Sequence, residues 1–323
     1  MANTGLNFLN GVIAPMLTPC RPDGSLDLDG VRGMVGWWKT RRGLNTIFAR
    51  SGMGKMFTFT VEETLSLARA VIDEAAGRFG VLAGAAGEWL TQREGMRPDR
   101  NAYLTQAIHL TVELGRLGVD GAVHVIPYAL EPASGEAIHD LVFHYYQQVH
   151  DATSVPIVIY QPHSTPPEYR IRPRLLERLL ELPRLAGMKV STMEDEDFLP
   201  LATVAADAPF ALICGDENNY LKALKHGAVG VIGEGCNVYP EILADLKAAF
   251  ERGDLEGAER HQLNVGRGLD LVSGLNSGVA WRQLMIRLGA KLQPYDREPF
   301  TPYPQDTVER LAAGWRELLA EYH

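Results

Sequence analysis

The feature that most constrains the fold of this chain is a repeated alternation. Short apolar or β-branched runs are each followed by a longer stretch of helical period, and the pair recurs eight times. Candidate strands lie near residues 12–17, 45–50, 79–84, 121–126, 155–160, 185–190, 210–214 and 228–232. A helix between two strands lets the second run parallel to the first through a right-handed crossover. Eight such units predict an α/β fold closed into a (β/α)8 TIM barrel, and an open doubly wound sheet is the alternative. Two helix starts carry capping chemistry: Thr60-Val61-Glu62-Glu63 and Ser191-Thr192-Met193-Glu194 both fit the S/T-x-x-E box, in which each side chain satisfies the other residue's backbone N–H.

Beyond the eighth helix, near Pro240 to Arg252, the alternation stops. The rest of the 323 residues reads as helix alone, over Leu255–His261, Leu269–Leu288 and Thr307–Tyr322, with Lys291–Gln305 as a Pro- and Tyr-rich connection. Gly253-Asp254 is the predicted boundary, giving a barrel over 1–252 and a C-terminal helical region over 253–323. A net charge of -9, with no Lys/Arg run longer than two, argues against nucleic acid, whose phosphates need a basic patch. No stretch of about 18 apolar residues is present to span a bilayer, and the first residues lack the basic start and apolar stretch of a leader. Cys20, Cys214 and Cys236 are odd in number and form no C-x-x-C, so neither a disulfide framework nor a zinc site is expected, and a reducing, cytoplasmic setting is.

In a barrel, catalytic groups come from the C-terminal ends of strands. Lys189 stands at such an end, in the apolar run Leu185-Ala186-Gly187-Met188-Lys189-Val190. Alternation sends Met188 and Val190 to one face and Gly187 and Lys189 to the other. Burial disfavours an ammonium relative to the free amine, and the free amine attacks carbonyl carbon to give a Schiff base. The plainer reading is an edge lysine whose head reaches water. Tyr160 ends the preceding strand, Val155-Pro156-Ile157-Val158-Ile159-Tyr160, and neighbouring strands lie about 4.8 Å apart, so its phenol is expected over the amine as a proton donor and acceptor. Taken alone, Tyr160 reads first as a strand-end aromatic that simply packs.

Together these residues resemble the dihydrodipicolinate synthase and N-acetylneuraminate lyase superfamily of class I aldolase-type enzymes. The likeness runs over almost the whole chain: Gly11-Val12-Ile13-Ala14-Pro15-Met16-Leu17-Thr18-Pro19 with Asp23-Gly24, the strands ending at Tyr160 and Lys189, Cys214-Gly215-Asp216, Gly227-Ala228-Val229-Gly230-Val231-Ile232, and Asn237-Val238-Tyr239-Pro240. It implies a barrel with a helical C-terminal region, usually a homotetramer, holding pyruvate or another small 2-oxo acid as an imine on Lys189 with Tyr160 handling protons. No metal or organic cofactor is implied. The substrate-binding set it implies is Ser51, Gly52, Met53, Tyr128, His163, Thr165, Gly215 and Ile232.

The departures from the family pattern narrow the reading. Where most members have G-[ST]-[ST]-G-E after strand two, this chain has Ser51-Gly52-Met53-Gly54-Lys55. The backbone N–H cradle for a carboxylate survives, both hydroxyls are lost, Ser51 is the candidate replacement, and Lys55 reverses a charge and is expected to attract a second carboxylate. The P-Y-Y of the synthases is Pro127-Tyr128-Ala129, and Thr165 stands where they have an arginine. These losses argue against the lysine-pathway synthase reaction. Pro127-Tyr128-Ala129-Leu130-Glu131-Pro132-Ala133-Ser134 loosely resembles sugar-acid dehydratases, pointing to a 2-keto-3-deoxy acid, and His163 is a candidate acid or base or else a solvated loop residue. A binding or regulatory paralogue on the same barrel is the alternative function.

Other signals have plainer readings. Gly227, Gly230, Gly233 and Gly235 suggest either a phosphate loop or tight strand–helix packing. His139, His144 and His150 lie on different faces of one helix and read as surface residues. Glu194-Asp195-Glu196-Asp197 begins a helix whose macrodipole favours negative charge. Of Trp37-Trp38, one indole is expected in the core and its neighbour part-exposed.

Overall fold

The computed structural model describes residues 6–90 and 92–322. Eight parallel strands close on themselves in chain order, which decides between barrel and open sheet. They are β1 (Gly11–Pro15), β2 (Leu44–Ala49), β3 (Gly80–Gly84), β4 (Gly121–Val125), β5 (Ile157–Gln161), β6 (Leu185–Val190), β7 (Ala211–Cys214) and β8 (Gly230–Val231). Every residue of β1, β4, β6 and β7 is buried, because helices cover the outside of each strand while side chains fill the inside. The covering helices are α1 (Leu28–Lys39), α2 (Val61–Ala75), α3 (Arg100–Leu117), α4 (Ile138–Ala152), α5 (Pro173–Leu179), α6 (Asp195–Ala205), α7 (Tyr220–Lys225) and α8 (Pro240–Glu251). Among the described residues no helix is long and apolar enough to cross a membrane.

One polar side chain of β4 is paired within this shell. His124 of β4 is fully buried between Thr111 of α3 and Tyr145 of α4, with Nε2 2.9 Å from Thr111 Oγ1 and Nδ1 2.9 Å from the Tyr145 phenol. The Thr111 hydroxyl already donates to Ala107 O, so it accepts from Nε2–H, and Nδ1 accepts from Tyr145. Burial holds this imidazole neutral, lowering its pKa to about 3.

The Thr60 box forms as expected: Glu63 N donates to Thr60 Oγ1 and Thr60 N to Glu63 Oε2, opening α2. The Ser191 box does not form. Ser191 N–H donates instead to Gln161 O at 3.0 Å, which prolongs the β5–β6 ladder, and α6 starts only at Asp195 with no side-chain cap. Its first turn is acidic, as expected, but Asp197 is buried and ion-paired to Arg170 at 2.8 Å and to Arg172. Two further expectations are corrected. Trp37 and Trp38 are both buried, Trp38 donating to Asn237 O and Trp37 lying under the Arg41 guanidinium. His150 is buried between Asp151 and Arg184 rather than on the surface.

Three helices follow the barrel: α9 (Leu255–Asp270), α10 (Ser277–Arg287) and α11 (Gln305–Leu319). The expected break after His261 is absent. Gly268 lies where a Cβ would come within 2.7 Å of the Tyr239 ring, so it serves close packing of an unbroken α9. The real break precedes Asn276, which caps α10 by accepting from Val279 N. Trp315 of α11 donates to Val238 O, and Arg42 joins Asp245 to the carbonyl of Tyr322, so this region shares the barrel's core. The connection between α10 and α11 returns to the loop after β2. There Arg297 grips Glu63 at 2.7 and 3.0 Å with its guanidinium over the Phe59 ring, and Glu298 meets Lys55.

Candidate active site

Tyr160 and Lys189 are each one residue from the end of their strand, and they are direct partners in the β5–β6 register. Lys189 is 7 % exposed, and its Nζ lies 4.3 Å from the centre of the Tyr160 ring. Among the described residues the ammonium has no carboxylate and no hydrogen-bond acceptor; the face of the phenol is its polar contact. A buried amine normally has an ion-pair partner.

Tyr160 also forms part of the wall of a cavity of about 350 Å³ at the C-terminal end of the barrel, together with Gly52, Lys55, Met56, Phe57, Thr58, Gln92, Val125, Tyr128, Pro162, Ser164 and Glu298. Lys189 is not among the residues of that wall and lies against Tyr160. The loop after β2 is braced from below. Ser51 Oγ donates to Met16 O at 2.9 Å and accepts from Gly54 N at 3.0 Å, while Thr18 Oγ1 donates to Gly54 O. Ser51 is therefore buried and does not line the cavity, and its hydroxyl holds the loop. Gly52 lies under the phenol, where a Cβ would stand 3.2 Å from Tyr160 Cε1 and 3.3 Å from its oxygen. Among the described residues the backbone N–H groups of Gly52 and Met53 meet no protein acceptor, which leaves two donors for an anion. The Met53 side chain is half-buried against the core.

The remaining expected residues divide. Tyr128 lines the cavity, with its phenol 3.3 Å from Ser164 Oγ and its ring edge-on to Trp89; burial pushes its pKa up, keeping it a neutral donor. His163 is exposed and outside the cavity wall, where its neighbours Pro162 and Ser164 stand instead. Thr165 is buried, outside this wall, with a hydroxyl that has no partner. Gly215 donates its N–H to Val190 O, and a Cβ there would come within 2.6 Å of that same carbonyl oxygen, so it lets two strand ends approach. Ile232 is buried, donating to Cys214 O. Neither lines this cavity.

The glycines after β8 hold an internal carboxylate. Glu217 Oε1 accepts from Gly235 N at 2.6 Å and from the Tyr239 phenol at 3.3 Å, and a Cβ on Gly233 would fall 1.2 Å from Oε2. Burial raises the Glu217 pKa to about 7, and phosphate has no seat where this group already sits. Among the described residues no three His, Cys, Asp or Glu are placed to hold a metal ion.

Sequence reasoning missed several residues, Met56, Phe57, Thr58 and Val125 of the cavity wall among them. Gln92, Ser164 and Glu298 reach the cavity from loops with no strand-end signal. Arg50 had the same signal as Lys189, a cation ending an apolar strand run. It is fully buried with φ 48°, donates to the carbonyls of Gly84, Ala86 and Phe59, and is lowered by burial to about 10. It ties together the loops after β2 and β3.

A largely buried amine without a counter-ion among the described residues, facing a phenol across one strand gap, is equipped to attack a carbonyl carbon; on an eight-stranded barrel it defines a lyase of the class I aldolase type, whose members work through an imine on lysine. Sequence comparison gives the family. Residues 8–317 match the Dihydrodipicolinate synthetase family, and the chain belongs to it. It is 27 % identical over 316 residues to a 4-hydroxy-tetrahydrodipicolinate synthase of Ralstonia nicotianae, covering 96 % of this chain and 95 % of that one. A DapA-like lyase of Thermofilum pendens is 28 % identical over 313 residues, covering 95 % and 97 %. The N-acetylneuraminate lyase structure from Fusobacterium nucleatum shares the fold, with a TM-score of 0.82 at 17 % identity over 98 % of this chain and 99 % of that one.

Proposed function

We propose that this protein forms an imine between Lys189 and pyruvate or a 2-keto-3-deoxy acid and catalyses aldol cleavage, aldol condensation or dehydration, outside the lysine-pathway synthase reaction. The amine adds to the 2-oxo carbon and water leaves. The protonated imine draws electrons, so a proton or an aldehyde departs from the neighbouring carbon, or the resulting enamine adds to an aldehyde or expels a β-hydroxyl as water. Hydrolysis returns the free amine and the 2-oxo product. Tyr160 carries protons between these stages, and the free N–H groups of Gly52 and Met53 receive the carboxylate.

The observation that carries this reading is the buried, uncompensated Lys189 in register with Tyr160 beside the cavity. Ala129, buried where the synthases have a second tyrosine, and Thr165 in place of their arginine support a reaction other than theirs. The barrel over 1–252 supplies this chemistry, and the 253–323 region adds Glu298 to the cavity wall. Three buried free cysteines favour a reducing, cytoplasmic setting, and the family's oligomeric habit favours a homodimer or homotetramer, which sedimentation measures.

Borohydride trapping with pyruvate, followed by intact mass and peptide mapping, tests the reading. A pyruvate-sized adduct on Lys189, absent from Lys189→Ala, is expected. Failure with a panel of 2-oxo acids would leave a non-catalytic binding paralogue as the better account.

A further inference from the structure

Five residues of the cavity wall, Gly52, Lys55, Met56, Phe57 and Thr58, lie in one loop that runs from the end of β2 to the cap of α2. Arg50 stands at the start of this loop and Phe59 at its end. Arg50 Nη2 donates to Phe59 O at 3.1 Å, which closes the base of the loop across nine positions of sequence. Nη1 of the same guanidinium donates to Gly84 O at 3.1 Å and to Ala86 O at 2.7 Å, so the closed base is also fastened to the end of β3.

The backbone is built around this joint. Arg50 has φ 48°, a left-handed conformation that a long side chain rarely adopts and that glycine or asparagine occupies with less strain. Opposite it, a Cβ on Gly84 would stand 2.3 Å from Arg50 O, so a glycine is needed for the two strand ends to meet. Strain of this kind persists where the surroundings over-determine a residue, and here the side chain spans three carbonyls while its own carbonyl abuts β3. The consequence falls two residues on, where Gly52 lies under the Tyr160 phenol and the N–H groups of Gly52 and Met53 meet no protein acceptor among the described residues. Ser51 and Thr18 brace the same loop towards the end of β1, and Arg50 braces it towards β3. Arg50 is 1 % exposed and is not among the residues of the cavity wall, so it acts on the site through the loop. Lysine is no substitute, because its ammonium is a point donor without the planar fork that serves these carbonyls together.

We infer that Arg50 is a positioning residue of the substrate site: by fixing the base of the 50–59 loop to the end of β3, it aims the Gly52 and Met53 N–H groups at the carboxylate of the bound 2-oxo acid. The inference rests on the imine reading and adds that carboxylate recognition depends on a side chain outside the cavity wall.

The test is the concentration giving half-maximal borohydride-trapped adduct for pyruvate and for methyl pyruvate, which offers the same ketone without the anion. Wild type, Arg50→Lys and Gly84→Ala are compared, the last disturbing the joint from its β3 side while keeping the guanidinium. The wild type is expected to take up pyruvate at the lower concentration. In Arg50→Lys the pyruvate value rises about tenfold, the methyl pyruvate value stays within about twofold of wild type, and the adduct at saturation is unchanged. Gly84→Ala shifts the two values in the same pattern, so the test stands on either variant if the other fails to fold. General damage to the loop would move both ligands together. A wild type without preference for pyruvate, a folded Arg50→Lys with an unchanged pyruvate value, or an equal rise for both ligands overturns the inference while leaving the imine intact. Absence of any pyruvate adduct in the wild type overturns the imine reading, and this inference with it.

Discussion

Replacing Glu217 by glutamine removes the buried carboxyl against which the chain end of β8 is built. In the folded protein this group is 3 % exposed and held by Gly235 N–H and the Tyr239 phenol, both donating to Oε1, while Gly233 packs against Oε2. Burial raises its pKa from 4.5 to about 7, with Glu234 and Asp216 adding to the rise. The folded state therefore keeps a proton that the unfolded chain releases between those two values. This contribution to stability is fully present below about pH 4.5 and is lost as pH rises through about 7. Between pH 5 and pH 8 the loss is about 2 to 3 kcal/mol. Glutamine keeps an acceptor for Gly235 and Tyr239 and does not titrate, so its stability lacks this fall. Urea unfolding of both proteins at pH 5, 6, 7 and 8 isolates the effect, because other titrating groups cancel in the difference. The variant is expected to gain on the wild type from pH 5 to pH 7 and to level off towards pH 8. A difference that stays flat over that range refutes the placement of a largely neutral carboxyl in this turn.

Two further substitutions probe the catalytic geometry. Tyr160→Phe keeps the ring that faces Lys189 and removes the proton carrier, so turnover of the 2-oxo substrate is expected to fall by about 10²- to 10⁴-fold, while circular dichroism and thermal midpoint stay close to wild type. An unchanged rate would remove Tyr160 from the proton path. Gly52→Ala places a methyl 3.2 Å from Tyr160 Cε1 in a loop with no positive φ at that position, so the phenol must give by a few tenths of an ångström. The half-saturating 2-oxo acid concentration is expected to rise severalfold, and the unfolding midpoint to move little.

The barrel was legible because parallel strands buried on both faces read as near-continuous apolar runs, which is how β1 and β7 are written, and β4 and β6 but for His124 and Lys189. Errors came where a local pattern depends on distant partners. The Ser191 box has the right residues for a cap, but the β5–β6 ladder claims Ser191 N–H before a helix can start. Ser51 looks like a spare hydroxyl until Met16 and Gly54 occupy it. Lys55 looks like a free cation until Glu298 arrives from the far end of the chain.

Arg50 and Lys189 carry the argument one step further, since sequence alone writes them alike. Each is a cation near the end of an apolar strand, and each is buried at the C-terminal mouth of the barrel. A guanidinium can satisfy several of its donors at once in a fixed plane, and Arg50 does so on the carbonyls of Gly84, Ala86 and Phe59, which makes it a brace. An ammonium has no such fork, and Lys189 has only the face of Tyr160. A nitrogen held by so few contacts is free to take a carbonyl carbon. Reactivity at Lys189 thus follows from what surrounds the cation and not from its position in the strand. Exchanging the two residue types separates the roles: Arg50→Lys is expected to loosen the loops after β2 and β3 yet keep a pyruvate adduct at residue 189, whereas Lys189→Arg keeps the charge and abolishes the adduct.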